Sequence, residues 1–281
     1  MTERLADIGV RTAGIRQLGA VVNAMRGIAA ARVQQARSQL LAVDNYAAAI
    51  AAAIARTLVL IPPTRHSVKR QSARPALVLF CAEQGFAGAF SKRVLDAAGP
   101  DLATSELFLV GARGQSAIAE RGIAAGWTCA MPSHSPGLPK LADRIVQALY
   151  ARIATGEIDR LDVIFSRWQP ARGTHTERQH LFPLDTAAFP PATDANAPLL
   201  NLTPASLLGT LTADYVHAQL CKAALHAFAA ENEARMETMA AARSQIERQL
   251  ASLQATQRLV RQEEITAEII ELAAGETASR D

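Results

Sequence analysis

Gly85-Phe86-Ala87-Gly88 is the stretch of this chain best placed to do chemistry. It follows an apolar run ending at Cys81 and opens a helical pattern. A helix N-terminus after such a turn can hold a phosphate on its backbone N–H groups. Gly111-Ala112-Arg113-Gly114 repeats the arrangement after a second apolar run. Neither has the full GxGxxG spacing, and the GxxxxGK[ST] loop that cradles a nucleoside triphosphate occurs nowhere. Both stretches therefore read as tight strand-to-helix turns that need small residues, and no cofactor is expected.

Other polar residues support catalysis less. His175, Glu177 and His180 could meet a cation, but no third histidine stands close by, so they read as a polar surface loop. His134, within Pro132-Ser133-His134-Ser135-Pro136, also reads as a loop residue. Asp162 interrupts an apolar run and could serve as a base, yet no nucleophile lies beside it in sequence. The three cysteines, Cys81, Cys129 and Cys221, are far apart and form no CxxC pair, which suits free thiols rather than a zinc site. Cys81 reads as a small buried hydrophobe. No catalytic or metal site is expected.

Composition narrows the class further. The net charge is +3, with the charges interspersed rather than blocked. Lys69, Lys92, Lys140 and Lys222 are the only lysines, too scattered for the basic face of a DNA-binding coiled coil, so nucleic acid is not an expected partner. Hydrophobic residues make up 49% of the chain and aromatics 5%, alanine supplying much of the first figure, which favours closely packed helices. Arg4, Asp7 and Arg11 break any leader-like apolar stretch. Tyr46 to Ile61 falls short of the roughly 20 apolar residues of a membrane span and contains Arg56, so it reads as a buried helix of a soluble or peripheral protein.

The elements that must position these residues fall into three segments. Between residues 3 and 57 no proline occurs, and Ile8, Ile15, Val22, Ala29, Ala36, Val43 and Ile50 recur at heptad spacing, with Leu18, Met25, Val33, Leu40 and Ile54 beside them. That is a coiled-coil stripe on a helix roughly 80 Å long. Thr203-Pro204 reads as an N-cap and first helical residue. Beyond it Leu211, Ala218, Leu225, Met239, Ile246, Leu253, Val260 and Ala267 keep the same spacing, broken by Asn232, on a helix of roughly 105 Å. A buried polar residue in such a row more often fixes register than binds a ligand. The two helices are expected to pair antiparallel, with Ile15, Val22, Ile246 and Leu253 in the seam.

The middle of the chain alternates differently. Strands are expected at 76–81, 106–110 and 161–165, and helices at 89–98, 113–121 and 138–154. Pro62-Pro63 and Pro190-Pro191 mark the boundaries, and 185–200 reads as a loop. The fold class is thus α/β plus coiled coil: long antiparallel N- and C-terminal helices flanking a Rossmann-like parallel-sheet domain. The domains are 1–60, 74–200 and 203–281.

Several stretches, taken in order, resemble the gamma subunit of F-type ATP synthases. Residues 23–32, from Asn23 through Met25 to Arg32, are similar to the family's KAMEMVAASK, with Arg26 where an acid is usual. Tyr215 to Leu220 resembles YVESQV, and Glu231 to Ala242 carries the family's ARM run at Ala234-Arg235-Met236. Arg261 to Leu272 follows the RQxxITxE pattern, and Gly275 matches a terminal glycine. Glu83 to Ser91 is a degraded DRGLCGGxN, with Ala87 for Cys and Ser91 for Asn, while Gly111 to Gly114 is similar to GSKG. These departures suit a divergent branch, of the kind an alternative ATP synthase would carry.

The resemblance implies a non-catalytic rotor subunit in the central stalk. Its coiled coil would stand among the alpha and beta subunits of the catalytic head, and its α/β domain would meet the epsilon subunit and the membrane c-ring. It would be peripheral, on the cytoplasmic face of a bacterial membrane. Each charge crossing the membrane releases about 2.3 kcal/mol per 100 mV, which the rotor would carry as torque to couple ion flow to ATP synthesis or hydrolysis. By the same resemblance Arg261, Gln262 and Thr266 are the partner-contact residues, with Met25 and Arg32 beside the neck of the stalk. Arginine suits such contacts because its fork pairs with a carboxylate at two points. The alternative is a Rossmann-type nucleotide-binding enzyme with helical extensions, for which Asp101 would be the ribose-binding acid.

Overall fold

A computed structural model describes residues 2–61, 74–189 and 200–278. The Pro62-Pro63 and Pro190-Pro191 boundaries lie outside them. The chain forms two compact units: residues 29–235, and residues up to Ile28 together with those from Met236 onward.

In the larger unit, β1 (Arg74–Phe80), β2 (Glu106–Val110), β3 (Trp127–Cys129), β4 (Ile158–Gln169) and β5 (Gly173–Phe182) form one sheet in the order β3-β2-β1-β4-β5. The pairs β3–β2, β2–β1 and β1–β4 are parallel. The β4–β5 pair is antiparallel, so the sheet is mixed, with parallel strands and one antiparallel edge. Residues 173–182, read from sequence as a loop around His175 and His180, are this edge strand. Its two faces, Thr174-Thr176-Arg178-His180 and His175-Glu177-Gln179, are both mostly polar, so the apolar alternation that signals a strand is missing. β3 escaped notice because three residues are too few to show a pattern.

Beyond their first residues, Arg74 and Glu106, β1 and β2 are apolar because both faces of the sheet are covered. Val78, Phe80, Phe108 and Val110 point to one face. There they pack on α5 (Leu138–Thr155) and on the Val216–Ala229 stretch of α6 (Pro204–Ala278). Leu77, Leu79, Leu107 and Leu109 point to the other, towards α2 (Phe90–Ala98), α3 (Asp101–Thr104) and α4 (Ala112–Ala119). Fully burying a side chain of this size contributes about 1.5–3 kcal/mol.

α1 (Thr2–Leu58) and α6 are single helices whose bounds match the sequence reading. The Thr203 hydroxyl accepts the Ser206 N–H at 3.3 Å, capping α6. Within the larger unit Ala47, Ile50 and Ile54 of α1 pack on Leu211, Tyr215 and Ala218 of α6. The ion pairs Arg37–Glu233 and Asp44–Lys222, each 2.6 Å, set the antiparallel sense. By length and composition α1 is apolar enough to cross a bilayer, but here that row packs against α6. The expectation of a buried helix over Tyr46–Ile61 holds for one face only and as far as Leu58, where the helix ends: Tyr46, Ala49, Ala52 and Arg56 are exposed.

In the smaller unit the N-terminal part of α1 pairs antiparallel with the C-terminal part of α6. Val22, Met239 and Ile246 form its buried centre, with Ile15, Met25, Ala242 and Leu250 around them. Asn23 accepts from Arg243 at 3.3 Å, and Arg4 pairs with Glu263 at 3.7 Å. Three of the four expected seam residues, Ile15, Val22 and Ile246, belong to this cluster together with Leu250, and Leu253 is half-buried.

Candidate functional site

In an open α/β sheet the place for a ligand is the crevice outside the carboxyl ends of the strands, where the N–H groups of the first turns point outward. Here that crevice is filled by the chain's own carboxylates. Glu231 of α6 reaches the loop after β1 and accepts the N–H groups of Glu83 and Gln84, each at 3.2 Å. Arg235, one turn on, donates to Glu231 Oε1 at 2.5 Å and to the Gly85 carbonyl at 3.3 Å. Asn232 orients that guanidinium through a 2.8 Å bond from Arg235 Nη1, and its own amide donates to the Phe228 carbonyl. All three side chains belong to residues at most 3% exposed.

Glu83 extends the same pattern. Its Oε2 accepts the Ala112 N–H at the start of α4 at 3.1 Å and the Met131 N–H beyond β3 at 2.8 Å. Main-chain N–H groups in the loop after β1 and at the start of α4 thus already hold carboxylates. Removing one partner of a buried ion pair typically costs about 3–5 kcal/mol, so Glu231 is strongly held. This group was missed from sequence, although one signal was available: Glu231 and Arg235 stand four apart, one helical turn, just after the largely apolar run from Ala223 to Ala230.

The two glycine turns do what small residues do at close approach. Gly111 has φ +101°, and a Cβ there would lie 2.8 Å from the Ala82 carbonyl oxygen. A Cβ on Gly114 would meet the Cys81 Cβ at 2.5 Å. Phe86 adopts φ +62° with its ring exposed, between the anchored Gly85 and Gly88. Ser91, in the place where the resembling family has Asn, accepts the Ala82 N–H at 3.1 Å. Burial pushes the Cys81 thiol up to about 12, the Ser91 contact opposing this and the Glu231 charge adding to it. It is an unreactive core residue, as read from sequence.

Asp162 belongs to a different network, made by β4–β5 pairing. Its Oδ2 accepts from Arg160 Nη2 and Arg178 Nη2 at 2.6 Å each, and its Oδ1 lies 2.8 Å from His180 Nδ1. Burial alone would raise its pKa; the bonds from Arg160, His180 and Arg178 outweigh this and hold it at about 2. A base that stays ionised on two arginines is a structural anion. Asp101, the candidate ribose acid, pairs with Arg178 at 2.6 Å. His175 sits beside Glu177 at 2.9 Å, while His180 lies on the opposite face of β5, as their odd separation on a strand requires. The two imidazoles cannot converge on one cation. His134 lies in the segment before a short 3₁₀ turn, as expected.

The expected contact residues fall in two places. Arg261, Gln262 and Thr266 are exposed on α6 in the smaller unit. Gln262 and Thr266 line an open groove of about 400 Å³ with Leu259, Glu263, Ala267 and Ile270, and Arg261 lies outside it. The Thr266 hydroxyl donates to the Gln262 carbonyl at 2.8 Å. Met25 is half-buried in the seam of the same unit. Arg32, in the larger unit, donates to the Gln84 side chain at 3.4 Å, which makes it part of the surroundings of the filled crevice.

A helix-paired protein with an α/β unit whose ligand crevice is closed by its own side chains is the class these features define. A family model described as ATP synthase matches residues 4–278, and the chain belongs to that family. Relatives named ATP synthase gamma chain include those of Parafrankia sp., 26% identical over 99% of this chain and 98% of the relative, and of Clavibacter michiganensis, 25% identical over 92% of each. That of Chlorobium luteolum is 22% identical over 98% of each. Among solved structures, a chain of the Euglena gracilis mitochondrial ATP synthase F1/c-ring assembly shares the fold with a TM-score of 0.64 at 12% identity, over 99% of this chain and 95% of that one. A chain of the Tetrahymena thermophila central stalk/c-ring structure gives 0.55 at 16% identity, over 79% and 99%.

Proposed function

We propose that this chain is the central-stalk rotor subunit of a membrane-associated F-type ATP synthase, carrying torque between an ion-driven ring and a catalytic head and doing no chemistry itself. The observation that supports this best is the antiparallel helix pair of the smaller unit. Segments more than two hundred residues apart in sequence build one seam, yet Leu259, Arg261, Gln262, Ile265, Thr266 and Ile269 are left exposed around it. Such a surface suits a partner that reads a protein face rather than a small ligand.

The partners in this reading are the alpha and beta subunits around the helix pair, and the epsilon subunit and c-ring at the α/β unit. The chain would sit at the cytoplasmic face of a bacterial membrane, held there through those subunits. Arg261, Gln262 and Thr266 would meet loops of the beta subunits, with Met25 and Arg32 supporting the neck.

The test is the double substitution Arg261→Ala with Gln262→Ala in a reconstituted complex. Exposed positions of this kind change a chain's own stability by only about 0.5 kcal/mol, whereas losing a buried charge-assisted contact at an interface costs about 2–5 kcal/mol. Assembly on native gels should persist while ATP turnover falls several-fold. Unchanged turnover in a fully assembled complex would show that the two residues are ordinary solvated surface. Micromolar ATP binding by the isolated chain would instead favour the nucleotide-binding enzyme.

A further inference from the structure

Resting on the rotor reading, we propose that Glu231 and Arg235 form the joint that locks α6 to the α/β sheet against turning, so that torque enters or leaves the helix pair through the filled crevice. A helix buried in apolar contacts resists being pulled away, but those contacts have no direction and resist slip less well. The α6 surface on the sheet is rich in small residues: Ala223, Ala224, Ala227, Ala229 and Ala230 are all buried. Directional bonds must therefore set its angle.

Several polar contacts run from α6 to the rest of the larger unit. Lys222–Asp44, His217–Asp143 and Arg37–Glu233 each have one partner whose side chain is 39% exposed or more, and such pairs are weak. Gln219 makes one neutral bond to Gln179 at 3.1 Å. Among these contacts the Glu231–Arg235 group alone has both charges buried, at 4% side-chain exposure each, and it grips main chain: the Glu83 and Gln84 N–H groups and the Gly85 carbonyl. From that loop Glu83 passes the load on to Ala112 and Met131, which follow β2 and β3. A force on one helix thus spreads over the ends of three strands.

The experiment uses the assembled complex in sealed vesicles, with Glu231→Gln, an isosteric change whose amide cannot accept both N–H groups and Arg235 together. ATP hydrolysis, ATP-driven ion pumping and hydrogen exchange at the Glu83 and Gln84 amides are measured on the same preparation. A joint predicts that pumping falls several-fold relative to hydrolysis while those two amides exchange faster. Glu83→Ala, which leaves α6 intact and removes the one oxygen that accepts both onward bonds, should shift the same ratio, and it carries the test if Glu231→Gln does not assemble. Pumping and hydrolysis falling in equal proportion, or an unchanged ratio, would overturn the joint and leave the group as local support. Failure of the wild-type complex to couple hydrolysis to pumping would overturn the rotor reading, and the joint with it.

Discussion

Asp162→Asn tests whether the sheet edge is held by one buried charge. The side chain of Asp162 is 5% exposed, and its oxygens take bonds from Arg160, Arg178 and His180. Its folded pKa of about 2, against the ordinary 3.8 of an aspartate, corresponds to about 2.5 kcal/mol of stability at neutral pH, at about 1.36 kcal/mol per unit. Arg160 and Arg178 are 52% and 36% exposed, so solvent screens them and about 1–2 kcal/mol is the better expectation. Because the folded pKa is depressed, this contribution is complete above about pH 4 and is lost as pH falls towards 2; at pH 3 about half should remain. Asparagine keeps the shape but carries no charge for the two guanidinium groups to hold, so it should lose the whole contribution. Urea-unfolding midpoints of wild type and variant, compared from pH 7 to pH 3, check this. Other acid-sensitive groups act on both proteins and cancel in the difference. A gap between the two that stays constant over that range, or a variant as stable as wild type at pH 7, would refute the reasoning.

The seam and one buried imidazole give two more predictions. Ile246→Ala should cost about 2–3 kcal/mol, the low end for emptying a core site because the seam is a single layer, and proteolysis should quicken at Met236–Leu272 without quickening in β1 or β2; equal quickening in both units would count against a separate seam. His226 stacks on Phe165 at 5.9 Å, and its pKa is lowered to about 4 by burial first and then by the nearby Arg167 and Lys222 charges. The native state therefore loses stability as pH falls from about 6.5 to about 4, and His226→Phe should become steadily more stable than wild type across that window in thermal melts, with no trend above pH 7. A pH-independent difference would show that His226 is not the titrating group.

What was legible in the sequence followed the physics of repeating pattern. α1 and α6 were readable because a heptad row such as Val22, Ala29, Ala36 survives over many turns. β1 and β2 were readable because a strand buried on both faces is continuously apolar. β5 was not, since an edge strand with two polar faces looks like a loop, and the parallel sheet expected from the other strands became a mixed one. The loss carried over to function. With 173–182 taken as loop, nothing brought Arg178 and His180 to Asp162, and that carboxylate was left as a lone base. The contact of Glu231 and Arg235 is hidden in the sequence because their partners, the main chain at Glu83 to Gly85, are about 150 residues away and have no side-chain signature.

The filled crevice explains how a sheet of nucleotide-binding type can serve a protein that works through its helices. Strand ends in this topology present outward N–H groups whatever the function, and each one buried without a partner costs about 1–3 kcal/mol. A diffusing phosphate can satisfy them, or a tethered carboxylate can. Once Glu231 is in place, an incoming phosphate must displace it from Arg235 and the two amides and leave that carboxylate, which is 3% exposed, without its partners. At about 3–5 kcal/mol, that penalty weakens any such ligand by roughly two to four orders of magnitude. A site of micromolar strength would become millimolar, while the same two amides gain a permanent attachment to α6. The substitution of one acid on a helix for a soluble anion thus turns a binding crevice into a mechanical one.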